Sequence, residues 1–346
     1  MATDPFPTGR LPRVRLAHLP TPIERLPNLT KLLGGPDIYV KRDDLTGLAT
    51  GGNKVRKLEF LIGQALQAEA DCVITAGAVQ SNHARQTAAA ARKFGLEPHL
   101  VLGKPAGGVP EHPQGNLLLD HLLGAVIHWT DEPAPYAETI AQVAAELRDA
   151  GRQPYEIPYG GSSAHGMMGY VEAMREVAEQ VPGPAPFAAH VFATSSGGMQ
   201  AGMMLGAYLV RGLGDNWGGR PRLLGISVAD PASVMKPRLV ELVRQGATAL
   251  GLTYNVNENA AIVNDGYLGE GYAVVGERER EAIRLAAQQD GLLVDPVYTG
   301  RALAGLIDLI RQGAYESGER VLFWHTGGTA GLFAFGEVLE LDTTAS

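Results

Sequence analysis

Residues 51–60 read Gly-Gly-Asn-Lys-Val-Arg-Lys-Leu-Glu-Phe. Two glycines lead into an asparagine and a lysine, and a helical apolar period (Val55, Leu58, Leu61, Ile62, Ala65, Leu66) follows at once. A loop therefore feeds a helix that starts at Asn53 or Lys54. Asn53 suits the cap of that helix. Lys54 and Lys57 crowd its first turn, where the helix carries partial positive charge and acidic groups are preferred. An ammonium disfavoured by its surroundings has a lowered pKa, which an amine nucleophile or Schiff-base lysine requires. A solvated helix start with basic side chains is the plainer reading of the same residues.

Two other segments place polar groups at the ends of apolar runs. Thr194-Ser195-Ser196-Gly197-Gly198-Met199-Gln200 lies between a strand, 189–194, and an apolar helix running to about 211. Small residues there leave several backbone N–H groups around one point, where the helix dipole favours an anion, and a phosphate is the natural occupant. The chain has no G-x-x-x-x-G-K-[ST], and no G-x-G-x-x-G closes its first βα turn, so a triphosphate loop and a dinucleotide fingerprint are both missing. A phosphate cradle far in sequence from an isolated lysine suits pyridoxal phosphate. The second segment, Gln80-Ser81-Asn82-His83, brings side chains and amides together at a strand end, a geometry suited to a substrate carboxylate and a cofactor ring hydroxyl. Helix capping by Ser81 or Asn82 is the competing reading. His83 is either a general base or a structural histidine.

These segments need a frame, and the chain supplies strands alternating with helices. After a proline-rich extended start come a short helix near 27–33 and a strand at 38–42. Helix 54–69, strand 72–75, helix 84–94, strand 98–102, helix 114–124, strand 125–129, helix 135–150 and strand 154–157 follow. Gly160-Gly161-Ser162-Ser163 and a helix at 166–180 read as a crossing between domains, and Pro182, Pro184 and Pro186 end that helix. Strand 189–194, strand 222–228, helix 233–248, helix 276–290 and strand 320–325 complete the pattern, with Thr326-Gly327-Gly328-Thr329-Ala330-Gly331 before a last helix. Such alternation indicates a parallel sheet covered on both faces. Open α/β sheets bind ligands at the carboxyl ends of strands, where the Gly/Ser/Thr-rich turns sit.

Composition narrows the partners. A formal net charge of −8 argues against nucleic acid and anionic membrane surfaces. One cysteine, Cys72, cannot form an intrachain disulfide and fits a reducing cytoplasm. No run reaches membrane-spanning length, and no metal is expected. The 44 glycines suggest tight turns and close backbone approaches to a ligand.

Gly-Gly-Asn-Lys-x-Arg-Lys-Leu-Glu at 51–59, Gln-Ser-Asn-His at 80–83, Asp-Pro-Val-Tyr-x-Gly at 295–300 and His-x-Gly-Gly at 325–328 occur in this order over nearly the whole chain. Together they resemble the D-cysteine desulfhydrase and 1-aminocyclopropane-1-carboxylate deaminase family of pyridoxal-phosphate enzymes. The resemblance implies an α/β, two-domain fold like the tryptophan-synthase β-subunit (fold type II), with mostly parallel sheets covered by helices. It places a small domain at 52–165 and a large one at 1–51 and 166–346, and it implies a homodimer. It also implies that Lys54, beside Asn53, is the Schiff-base lysine and that Asn82 bonds the ring hydroxyl. Lys57, Ser196, Gly197, Gly198 and Met199 would hold the phosphate, and Thr326 would face the pyridine nitrogen. Ser81 would be the nucleophile or carboxylate binder, with Gln80, Asn82 and His83 around the substrate. Tyr298 and Tyr272 match the family's active-site tyrosines, with roles that can be exchanged.

Two departures bear on the reaction. Thr299 stands where the deaminases carry a glutamate facing the pyridine nitrogen; a carboxylate keeps that ring protonated as a strong electron sink, and a threonine hydroxyl cannot. Ring-opening deamination is disfavoured on that ground, and sulfur elimination favoured. Met199 stands where the family usually has threonine, at the loss of one phosphate hydrogen bond. The implied reaction is β-elimination from D-cysteine to pyruvate, ammonia and sulfide, with Lys54 or a tyrosine removing the Cα proton. L-Cysteate sulfo-lyase and then the deaminase are the near alternatives; a Rossmann-like binding protein or oxidoreductase without pyridoxal phosphate is the remote one.

Overall fold

The computed structural model describes residues 6–105, 107–131, 135–181, 187–211 and 222–339. The expected helix stop at Pro182, Pro184 and Pro186 lies outside the described residues. Among those described, the strands are β1 (Ile23–Arg25), β2 (Asp37–Arg42), β3 (Cys72–Ala78), β4 (Glu97–Gly103), β5 (Val126–Thr130), β6 (Pro154–Glu156), β7 (Ala189–Thr194), β8 (Arg222–Ser227), β9 (Ile262–Asn264) and β10 (Arg320–His325). The helices are α1 (Pro27–Leu33), α2 (Lys54–Gln67), α3 (Asn82–Lys93), α4 (Gly115–Leu122), α5 (Tyr136–Asp149), α6 (Met168–Gln180), α7 (Gly198–Arg211), α8 (Ala232–Ala249), α9 (Glu277–Asp290), α10 (Thr299–Arg311) and α11 (Thr329–Leu332).

Two sheets result. A four-stranded sheet has the order β5-β4-β3-β6 and is parallel throughout. A six-stranded sheet has the order β1-β2-β10-β7-β8-β9, parallel except for the β1–β2 pair. Strands covered by helices on both faces lose the alternation of a half-exposed sheet. Hence β3 is buried at every position from Cys72 to Gly77, and β10 from Val321 to His325. The three-residue strands β1 and β9 have no counterpart among the expected strands, whereas β6, equally short, lies within the expected 154–157. Strand β3 runs to Ala78, beyond the expected 75, since Gly77 and Ala78 continue its pairing with β4; α3 then starts at Asn82 rather than 84.

The first turn of α2 is fixed by buried charge. Arg56 lies between Asp43 and Glu176: its Nε is 3.0 Å from Asp43 Oδ2 and its Nη1 3.0 Å from Glu176 Oε2. Lys41 donates to Glu176 Oε1 at 2.6 Å and the Tyr170 hydroxyl to Asp43 Oδ2 at 2.6 Å. Burial opposes the charge on Glu176, yet hydrogen bonds and attraction from Arg56 and Lys41 hold its carboxyl down to about 2. Glycines bring the helices into backbone contact. A Cβ on Gly169 of α6 would lie 2.3 Å from the Arg56 carbonyl, and one on Gly202 of α7 2.3 Å from that of Met167. The extended N-terminal segment is tied to the same helix, with Leu16 and Ala17 N–H both donating to Glu59 Oε1 at 2.9 Å.

Candidate active site

The Gly-rich turns after β3, β6, β7 and β10 meet the start of α2 around one cleft with about 640 Å³ of empty space, counting its open mouth. Of the residues singled out from sequence, Asn53, Lys54, Lys57, Ser81, Asn82, His83, Ser196, Gly197, Met199, Tyr298 and Thr326 line it. Among the described residues no acidic side chain and no arginine does.

Lys54 opens α2 and has no hydrogen-bond or ion-pair partner among the described residues. Burial lowers its ammonium to about 8, so about a tenth of it is neutral amine at pH 7, far more than for an ordinary lysine. Its loop is rigid: Asn53 N–H donates to the Thr326 carbonyl at 3.0 Å, and Gly52 exchanges hydrogen bonds of 2.7 and 2.9 Å with the Thr46 hydroxyl. Asn53 does not cap the helix through its side chain. Its own backbone is helical (φ −61, ψ −24), which points the side chain away from the following amides; its Nδ2 lies 3.8 Å from Met199 Sδ.

Lys57 is buried and also lacks a carboxylate partner among the described residues. Its Nζ donates to the Gly160 carbonyl at 3.0 Å and to Ser162 Oγ at 3.1 Å. Burial, and then repulsion from Lys54, pushes this ammonium well below its ordinary range. Ser162 Oγ in turn donates to Ser196 Oγ at 2.7 Å and accepts from Gly198 N–H at 3.0 Å. A Cβ on Gly198 would sit 2.7 Å from Lys57 Nζ, so only glycine lets the lysine reach the start of α7. Gly198 itself is thus turned toward Ser162. The 14-residue α7 starts at the same place, with the positive end of its dipole there.

Across the cleft, Ser81 caps α3, its Oγ accepting from Ala84 N–H at 3.1 Å. The cap uses the oxygen and leaves the hydroxyl proton to donate. Asn82 Oδ1 accepts from Arg85 Nη1 at 3.2 Å and Asn116 Nδ2 at 3.1 Å, which directs its own Nδ2 donor to the cleft. His83 is a cleft wall: its Nε2 lies 2.8 Å from Thr75 Oγ1, and burial, with Lys54 and Lys57, pushes its pKa well down, so the ring is neutral. Gln80 does not face the cleft, contrary to expectation. Its Oε1 accepts from Asn116 N–H at 2.9 Å and its Nε2 donates to the Gln114 carbonyl at 3.1 Å, because the start of α4 has no side-chain cap of its own.

Tyr298 and Tyr272 meet hydroxyl to hydroxyl at 2.5 Å, with their rings edge to face. Burial raises the pKa of both, so both are protonated at working pH. Tyr298 is set by Asp295, whose carboxylate accepts from the N–H groups of Val297, Tyr298 and Thr299 at 3.0, 2.9 and 2.9 Å and from the Thr299 hydroxyl at 2.6 Å. Thr299 is consumed by that cap, whereas Thr326 lines the cleft with a hydroxyl that has no partner among the described residues.

Residues 14–327 match the protein family described as pyridoxal-phosphate dependent enzyme. The chain belongs to that family. A D-cysteine desulfhydrase of Salmonella choleraesuis (strain SC-B67) is 42% identical over 94% of this chain and 97% of its own. A crystal structure of an ACC deaminase homologue superposes with a TM-score of 0.86 at 40% identity, covering 98% of this chain and 99% of that one. A tomato (Solanum lycopersicum) threonine deaminase, 16% identical with a TM-score of 0.63 over 93% of this chain and 82% of its own, shares the fold alone. This pyridoxal-phosphate-dependent enzyme has the α/β fold of type II expected from the sequence, and the reading without pyridoxal phosphate is overturned.

The side chains fit the cofactor. A buried Lys57 that has no carboxylate partner among the described residues, beside the start of α7, suits an anion, and an unpaired, partly neutral Lys54 is ready for a carbonyl. Sequence reading missed Ser162, Tyr159 and the supports of Asn82, namely Arg85 and Asn116. Tyr159 and Ser162 both lie in the Gly-rich turn expected only as a crossing between domains, and Ser162 carries a further signal, a Gly-Gly-Ser turn that mirrors Ser196-Gly197-Gly198. The Lys54 amine also sets a pH dependence. Its neutral fraction rises tenfold per pH unit below about 8 and levels off above. The rate at which cofactor-free enzyme takes up pyridoxal phosphate, followed by visible absorbance, is expected to rise with pH through about 8 and then flatten; a rate still climbing toward the ordinary lysine range would refute a lowered Lys54.

Proposed function

We propose that the enzyme is a carbon–sulfur lyase that converts D-cysteine and water to pyruvate, ammonia and sulfide. The observation that carries this reading is an unpaired amine, Lys54, sharing one cleft with the protonated hydroxyl of Tyr298, which Tyr272 backs from behind the cleft lining. Pyridoxal phosphate, when bound, supplies an electrophilic carbonyl for the substrate amine and an electron sink for the Cα carbanion. Lys54 would carry it, Asn82 would donate to its ring oxygen, and Thr326 would face its ring nitrogen. Lys57, with the Ser196, Gly197, Gly198 and Met199 segment, would hold its phosphate.

The protein's own groups divide the proton work. Lys54, as a neutral amine, takes the Cα proton. The tyrosines cannot be the base, because burial keeps them protonated; Tyr298, backed by Tyr272, gives its proton to the departing sulfur. The Ser81 hydroxyl proton and the Asn82 side of the α3 start bind the substrate carboxylate, and His83 is a neutral wall. Two features weigh against the alternatives. A sulfonate leaving group wants extra cationic donors, and among the described residues no arginine lines the cleft. Ring-opening deamination wants a carboxylate at position 299, where the hydroxyl is bound to Asp295.

The test is a product screen on the holoenzyme with D-cysteine, L-cysteate and 1-aminocyclopropane-1-carboxylate. Sulfide and pyruvate in equal amounts from D-cysteine are expected. Sulfite from L-cysteate as the fastest product would move the assignment to the sulfo-lyase. We infer further that residues 52–165 form a small domain and residues 1–51 with 166–346 a large one, supported by a four-stranded sheet whose strands all fall between 72 and 156. The buried free thiol of Cys72 supports a cytoplasmic setting, and among the described residues no helix is long and apolar enough to cross a membrane. The family resemblance supports a homodimer.

A further inference from the structure

Tyr272 sits on a segment, residues 265–276, with no helix or strand of its own. Its neighbours are in conformations that need outside support: Gly271 has φ +140° and Ala273, a residue with a side chain, has φ +62°. Tyr267 and Asp265 tie the start of the segment to Asp308 and Ala232 N–H, and around Tyr272 itself the main support is one side chain. Arg301, 1% exposed, is on the same first turn of α10 that presents Tyr298. Its Nη1 donates to the carbonyls of Leu268 and Gly271, each at 3.0 Å, and more weakly to Val228 at 3.3 Å, while Nη2 donates to Val274 at 2.6 Å. Its Nε is held by Glu279 Oε1 at 2.7 Å, and the other oxygen of that carboxylate accepts from Gly276 N–H at 3.0 Å, closing the end of the segment. The carbonyls on both sides of Tyr272 are therefore bound by a single buried guanidinium.

We propose that Arg301, held by Glu279, is the positioning residue that sets the Tyr272 hydroxyl against Tyr298. This rests on the reading of the tyrosine pair as the proton donor to the leaving group. A lysine in place of Arg301 is a point donor and cannot span carbonyls spread over residues 268–274. Loosening the segment by an ångström would misalign the hydroxyl pair without touching the phosphate or Lys54 sites.

The experiment compares Arg301→Lys, Glu279→Gln, Tyr272→Phe and the Arg301→Lys/Tyr272→Phe double variant as holoenzymes. With D-cysteine, Arg301→Lys is expected to lower kcat about 10²-fold with KM and cofactor retention little changed. Made on top of Tyr272→Phe, it should cost no more than roughly a further twofold, since the two act through one group. Hydrogen–deuterium exchange over 265–276 should rise in Arg301→Lys and Glu279→Gln and stay at the wild-type level in Tyr272→Phe. Unchanged exchange, or a full loss of kcat in the Tyr272→Phe background, overturns the proposal. If Arg301→Lys does not fold, Glu279→Gln, which keeps the shape but gives up one of the two acceptors, carries the same comparison. A wild-type holoenzyme that yields no sulfide from D-cysteine overturns the substrate reading alone; the exchange comparison then still upholds or overturns the clamp.

Discussion

Lys54→Ala is expected to remain folded and to release sulfide from D-cysteine more than about 10³-fold more slowly than the wild type, because one amine serves both as carbonyl partner and as base. Folding should survive the change. Lys54 has no hydrogen-bond or ion-pair partner among the described residues, and burial already lowers its pKa to about 8, so the native state gains nothing from this ammonium. Borohydride reduction separates the chemistry from binding. It should fix the cofactor covalently to Lys54 in the wild type and leave it extractable from Lys54→Ala. Sulfide release within tenfold of wild type would remove Lys54 from the mechanism.

Lys57→Met tests the other end of the cofactor. Charge-assisted hydrogen bonds contribute about 1.5–3 kcal/mol, so affinity for pyridoxal phosphate should fall about 10- to 100-fold. Inorganic phosphate is the sharper probe, since it cannot react with Lys54. It should raise the melting temperature of cofactor-free wild-type protein and leave that of Lys57→Met unmoved. Without any anion the order of stability should not favour the wild type: methionine fills the channel toward Gly160 and Ser162 with no charge to desolvate. Equal phosphate stabilisation of both proteins would place the anion elsewhere.

The frame of this enzyme was largely legible because parallel strands buried on both faces appear as continuous apolar runs. The runs at 189–194 and 320–325 coincide with β7 and β10 to the residue. The Gly-rich turns could be placed at strand ends for the same reason. What stayed hidden depends on the direction of side chains, which residue type does not encode. Gln80 and Ser81 are neighbours with similar polarity, yet one caps α4 outside the cleft and the other caps α3 within it. Asn53 has the chemistry of a cap and lacks the backbone for it. Arg56 and Glu176, or Arg301 and Leu268, meet across long stretches of chain with no local pattern to announce the meeting. Position 299 shows the limit from the other side. Its threonine was informative as a missing carboxylate, but that its hydroxyl closes the Asp295 cap required coordinates.

The lysine loop and the loop after β10 touch backbone to backbone. A Cβ on Gly327 would lie 2.7 Å from Gly52 Cα, one on Gly51 1.9 Å from the Asp44 carbonyl, and one on Gly328 2.5 Å from Asp295 Cγ. All these glycines have positive φ. In a genetic screen for loss of activity, the inactivating alleles would therefore cluster at glycines with no functional group as densely as at Lys54. A map of intolerant positions would outline the contact between two loops more faithfully than the chemistry they surround, and an allele at Gly327 would phenocopy one at the lysine 273 residues earlier.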